Sequence, residues 1–79
     1  QAPTHILIIP KRHFANAPEL AKNEGATLSE IFTAAKAIAQ KNALESFRTV
    51  FNTGSDAGQT VFHAHLHLLG GRKFAWPPG

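Results

Sequence analysis

Three histidines alternate with apolar residues in the run His63-Ala64-His65-Leu66-His67-Leu68-Leu69. Alternate side chains of a β-strand share a face, so this spacing lines up three imidazoles roughly 6.6 Å apart and turns Phe62, Ala64, Leu66 and Leu68 to the opposite side. One face is then reactive and the other is suited to a core. A neutral imidazole carries a lone pair that serves as nucleophile, proton acceptor or metal ligand near neutral pH. The same pattern also admits three solvated rings on an exposed strand, or a three-histidine zinc site. The chain has five carboxylates, and Asp56 is the one near the histidines in sequence. That scarcity argues against zinc and against carboxylate-bound magnesium, and the reading adopted is chemistry with no metal and no cofactor.

The elements that must position these rings follow from periodicity. Ile6-Leu7-Ile8-Ile9, closed by Pro10, reads as a buried strand over residues 5–10. Residues 11–25 are polar, carry Pro18 and Gly25, and read as a connection with one helical turn after Pro18. Thr27-Leu28-Ser29-Glu30 matches a capping box, and Leu28, Ile31, Phe32, Ala35, Ile38 and Ala39 follow at helical spacing. This helix is expected to end near Asn42, a residue that tolerates the left-handed conformation. Residues 47–52 and 60–69 read as strands, with a hairpin loop over 54–58 between them. The order strand, helix, strand, strand predicts a single α+β domain over residues 1–79, a small antiparallel sheet with one long helix packed on it.

Composition narrows the function classes. With no cysteine in 79 residues, disulfides and thiolate metal sites are excluded. No stretch is apolar for long enough to span a bilayer, and the polar opening is unlike a signal peptide, so a soluble, cytoplasmic protein with no membrane partner is expected. The net charge of +3 comes from scattered lysines and arginines, so nucleic acid is not the expected partner. The chain has no methionine and opens on Gln1 directly before a strand, and it is expected to be the C-terminal part of something longer, an N-terminally incomplete domain.

The histidine run fits the pattern His-φ-His-φ-His-φ-φ and resembles the histidine-triad (HIT) nucleotide hydrolases and transferases. The flanks are similar too: Gln1-Ala2-Pro3-Thr4-His5 leads into Ile-Leu-Ile-Ile-Pro-Lys, and Asn52-Thr53-Gly54-Ser55-Asp56-Ala57-Gly58-Gln59-Thr60-Val61 looks like the family's phosphate-loop segment. Leu69-Gly70-Gly71-Arg72 and Trp76-Pro77-Pro78-Gly79 resemble the histidine-triad nucleotide-binding (Hint) branch. That branch has an opening helix and two strands that supply walls for the base and an acidic residue for the ribose; these have no counterpart here.

The resemblance implies hydrolysis of a purine nucleoside 5′-phosphoramidate, an adenosine 5′-monophosphoramidase type of activity. Attack at the α-phosphorus would form a nucleotidyl-histidine that water resolves to the mononucleotide, AMP for an adenosine substrate. By position His65 is the nucleophile, and it attacks best if one ring nitrogen donates to a backbone carbonyl and leaves the other bare. His67 is the candidate for protonating the departing amine. His63 and His5 orient the central ring, although a strand-end structural role suits His5 nearly as well. His13 is assigned no catalytic role. Gly58 lets backbone approach a phosphate, Gln59 brings an amide, Thr60 a hydroxyl, and Asn52 ends the neighbouring strand beside them. The resemblance also implies a homodimer in which Trp76 acts across the interface on leaving-group preference. A noncatalytic nucleotide-binding or adaptor module, and a dinucleoside polyphosphate hydrolase, stand as the alternatives.

Overall fold

The computed structural model describes residues 2–78. Gln1 and Gly79, the outermost residues of the two terminal motifs, lie outside them. The first apolar run forms β1 (Thr4–Ile8), in which Thr4, Ile6 and Ile8 turn inward and His5 and Leu7 outward. It is an edge strand rather than a buried one: its ladder is with one neighbour, and the side chain of Leu7 is 51% exposed.

The connection folds more than expected. Asn16 accepts the Glu19 N–H at 3.0 Å and caps α1 (Ala17–Asn23), whose Leu20 is fully buried. The long helix, α2 (Gly25–Lys41), starts two residues before Thr27, so the expected capping box does not form. The Glu24 carbonyl already takes the Thr27 and Leu28 N–H groups at 3.0 and 3.3 Å, which places Thr27 inside the helix. Ile31, Ala35 and Ala39 recur every fourth residue on its buried face. Phe32 is largely exposed, and its ring meets Phe51 edge-on at 6.2 Å.

The helix ends where expected, but by a different device. Asn42 stays at φ −95° while Ala43 takes the left-handed conformation at φ +56°. Leu44 N–H then reaches Ala39 O at 2.9 Å and Ala43 N–H reaches Gln40 O at 3.1 Å, a Schellman closure.

Two further strands, β2 (Phe47–Phe51) and β3 (Leu66–Gly70), complete a three-stranded antiparallel sheet in the order β1-β3-β2. The last strand is shorter than the span 60–69 read from the sequence, because residues before Leu66 run past the end of β2 and meet the connection after β1 instead. Ala64 N–H bonds Phe14 O at 2.6 Å there. Alternation of burial nevertheless continues back to His63; Phe62, expected in the core, is 54% exposed. Leu66 and Leu68 on β3 are fully buried, and Leu66 joins Leu20, Ile31, Ala35 and Ala64 in a core bordered by Ile8, Phe14, Leu28 and Phe51. This core holds the buried face of β3 so that its opposite face presents the histidines.

Candidate active site

Cross-strand register sets the histidine face. Leu7, His67 and Val50 form one row across the sheet, and His5, Leu69 and Arg48, two residues along, the next row on the same face. His5 reaches diagonally, with its Nε2 2.8 Å from Nδ1 of His67. The His67 and His65 rings meet edge-on with centroids 4.9 Å apart. His65 Nδ1 lies 2.7 Å from the carbonyl oxygen of His63. A carbonyl only accepts, so the hydrogen sits on Nδ1 and the lone pair on Nε2 is bare. His63 in turn donates from Nε2 to Pro10 O at 3.0 Å, which ties its ring to the end of β1. The three rings therefore have different partners: the first is anchored, the second is held in one tautomer, and the third shares a hydrogen with His5. Among the described residues, no three histidine or acidic side chains converge as a metal ion would require.

The pKa of His67 is held below the ordinary histidine value, chiefly by partial burial and then by repulsion from charge on His65 and on His5. Beside His63 and His65 opens a cavity of about 270 Å³ whose other walls are Leu7, Ile9 and Val61. Two larger grooves, of about 440 and 500 Å³, lie along α2 and contain none of the triad histidines. Chemistry rather than volume marks the site.

The loop before the triad is built around Gln59. Its side chain is 2% exposed and accepts Gly54 N–H at 2.8 Å. Its amide donates to Ala15 O at 2.6 Å and Val61 O at 3.1 Å, and its own N–H goes to Gly54 O. The expectation that Gln59 offers an amide to phosphate is therefore corrected: every donor it has is engaged in bracing the loop. Gly58 is left-handed at φ +98°, and its N–H is taken by Ser55 O. A Cβ there would sit 3.9 Å from the Asn52 side-chain nitrogen, so Asn52 lies against the turn. Among the described residues, the Asn52 amide and the exposed Thr60 hydroxyl have no hydrogen-bond partner within the protein, unlike the Gln59 amide.

Several contributors escaped sequence reading. Leu7 shares the outward side of β1 with His5, and Ile9, just past its end, keeps the same exposed alternation, so the period-two pattern that placed the triad points to both. His13 stands with its ring edge-on to His63 at 5.0 Å, so all five histidines of the chain gather along this side. Trp76 is 83% exposed and is not a wall of the cavity.

A triad of histidines with separate partners, leading into and ending on the central strand of an antiparallel sheet, defines a histidine-triad class of site. The HIT domain family model matches residues 1–74, and the chain belongs to the HIT family. It is 54% identical to an uncharacterised HIT-like protein of Synechococcus elongatus over its full length, spanning 70% of that relative. Among solved structures, a HIT family hydrolase from Legionella pneumophila matches all of the chain at 49% identity and a TM-score of 0.93, with 72% of that protein covered. A histidine triad protein from Clostridium difficile matches 94% of the chain at 37% identity and a TM-score of 0.87, with 66% of it covered. No helix among the described residues is long and apolar enough to cross a membrane.

Proposed function

We propose that this site hydrolyses purine nucleoside 5′-phosphoramidates through a nucleotidyl intermediate on His65. The observation that carries the reading is the 2.7 Å contact between His65 Nδ1 and His63 O, which leaves the opposite ring nitrogen as a bare nucleophile among the triad rings. Likeness to HIT family hydrolases supports hydrolysis as the reaction class. The apolar walls Leu7, Ile9 and Val61 suit the flat face of a base or the body of an organic amine.

In the proposed reaction the Nε2 lone pair of His65 bonds to the α-phosphorus as the bond from phosphorus to the amine breaks. His67, protonated at both nitrogens, gives Nδ1–H to His5 and passes its Nε2 proton to the departing nitrogen, which leaves as neutral amine. The lowered pKa makes protonated His67 a stronger acid for that transfer and also a scarcer one at neutral pH, so the step is expected to weaken as pH rises. Water then attacks phosphorus, its proton returns to His67 Nε2, and the phosphorus–histidine bond breaks to release the mononucleotide. Asn52 and Thr60 meet the charge that develops on the phosphoryl oxygens. His63 holds the ring of His65 through its carbonyl, and Trp76 offers an aromatic surface to the leaving amine across a homodimer. A cytoplasmic setting, the homodimer and the absence of a metal requirement belong to the same proposal and follow from the resemblance and the donor set.

The test is made on the complete protein. His65→Gly is expected to abolish hydrolysis of adenosine 5′-phosphoramidate while mononucleotide binding persists. Rapid-quench mass spectrometry of the unaltered protein is expected to find an acid-labile nucleotidyl adduct on His65. Chelator is expected to leave turnover unchanged. Undiminished hydrolysis by His65→Gly overturns the covalent mechanism. Nucleotide binding without any hydrolysis by the unaltered protein favours an adaptor module, and preference for dinucleoside polyphosphates favours that hydrolase class.

A further inference from the structure

Beyond β3 the chain turns through Gly71 at φ +95°, against Pro3, and carries Arg72, Lys73, Phe74, Ala75 and Trp76. Arg48 stands on β2 directly across from Leu69, two residues along from the row of His67 and therefore on the histidine-bearing face. Its guanidinium lies 4.8 Å from the centroid of the Phe74 ring, and Arg72 covers the same ring at 4.3 Å. Arg48 Nη2 also donates to Ala75 O at 3.0 Å. The tail is thus fastened to the sheet by Arg48, through its contact with the Phe74 ring and one hydrogen bond to the tail backbone, while Arg72 contacts the same ring from within the tail. Both attachments use a planar group that lysine lacks.

We propose that Arg48 is a positioning residue: by holding Phe74 and Ala75 it fixes where Trp76 lies, and with it the selectivity among leaving amines. This rests on the phosphoramidate reading above. Chain lengths set the size of the effect. With Ala75 held, Trp76 is one residue from an anchor, a reach of roughly 3.5 Å; with the clamp lost, the last ladder residue, Gly70, is six residues back and the reach grows to roughly 20 Å. An aromatic surface spread over that range no longer meets a bound amine in one place. An unsubstituted amine leaving group makes no use of such a surface, so its hydrolysis does not depend on the clamp.

The experiment compares the complete protein with its Arg48→Lys, Phe74→Ala and Phe74→Tyr variants. The first readout is kcat/KM for a phosphoramidate of an aromatic alkylamine divided by kcat/KM for the unsubstituted phosphoramidate. The second is time-resolved anisotropy of Trp76, with Trp76→Phe as the blank. For Arg48→Lys and Phe74→Ala the ratio is expected to fall roughly 3- to 10-fold, the size of a cation–π contact. The unsubstituted substrate should stay within about twofold, and Trp76 should gain a fast depolarising motion. Phe74→Tyr, which keeps the ring, is expected to restore both. An unchanged ratio, an unchanged anisotropy decay, or equal losses on both substrates overturns the proposal. If the unaltered protein hydrolyses neither substrate, the activity reading and the selectivity claim fail together, and the anisotropy alone decides whether Arg48 anchors the tail.

Discussion

Gln59→Glu separates a brace from a substrate donor, because it changes one amide to a carboxyl of the same shape. The Gly54 N–H contact survives the exchange, since an oxygen still accepts it. Where the amide gave hydrogens to Ala15 O and Val61 O, the carboxylate turns a lone-pair-bearing oxygen toward two carbonyl oxygens. Two hydrogen bonds are lost and two acceptors are left facing a like dipole in a site that is 2% exposed, each worth about 1–3 kcal/mol. Protonating the carboxyl restores at most one of them, so a loss of about 3–5 kcal/mol at pH 7 is expected, a large share of the stability of any small domain. A buried carboxyl has its folded pKa raised, so the deficit is full above that value and shrinks as pH falls toward the unfolded value of about 4.3. Urea unfolding of the complete protein at pH 7 and pH 4.5 measures both quantities. If Gln59→Glu leaves stability within about 0.5 kcal/mol while kcat drops a hundredfold, the bracing argument is wrong and the side chain serves the substrate directly.

Four further outcomes follow from particular contacts. Ala43→Gly, at the left-handed helix terminus, is expected to stabilise by about 1 kcal/mol in urea unfolding. Gly71→Ala is expected to destabilise by about 1–3 kcal/mol, because φ +95° suits glycine and the new Cβ would stand 3.0 Å from Pro3. His67 binds its proton less tightly folded than unfolded, so it makes stability fall as pH drops below about 6.5, with no further loss below its depressed folded value; a plot of urea midpoint against pH should be flatter for His67→Asn, and equal slopes refute the coupling. Thr60→Ala and Asn52→Ala are expected to lower kcat more than they raise KM for the phosphoramidate; changes in KM alone would mean that these groups hold the ground state.

What could be read from the chain depended on how local the cause was. The alternation of His63, His65 and His67 with Ala64, Leu66 and Leu68 is a property of extended backbone, and it holds even where the ladder is absent. The spacing of Ile31, Ala35 and Ala39 likewise needs no neighbour to be recognised as a helix face. The errors fall where a distant partner decides. Thr27 loses its capping role because Glu24, already closing α1, starts the next helix. Residues 60–65 stand outside the ladder, with bends at Val61 and His63, because β2 ends at Phe51 and the connection after β1 meets them instead. Gln59 is chemically suited to phosphate, and only the positions of Ala15 and Val61 reveal that its donors are taken. The Arg48 clamp joins residues 27 apart and has no signature in either segment alone.

The ladder boundary between His65 and Leu66 divides the triad in a way that bears on motion. His67 lies on the central strand, flanked on both sides, so its backbone can leave its place only if the sheet itself comes apart. His65 and His63 precede the ladder and are held by single bonds to carbonyls, by Ala64 N–H and by the packing of Ala64. His67 therefore sits on the doubly flanked part of the sheet, and His65, the proposed nucleophile, on a segment outside the ladder. Under the proposed mechanism, brief excursions of residues 60–65 interrupt attack by His65 while the sheet, and the shared hydrogen between His5 and His67, stay intact.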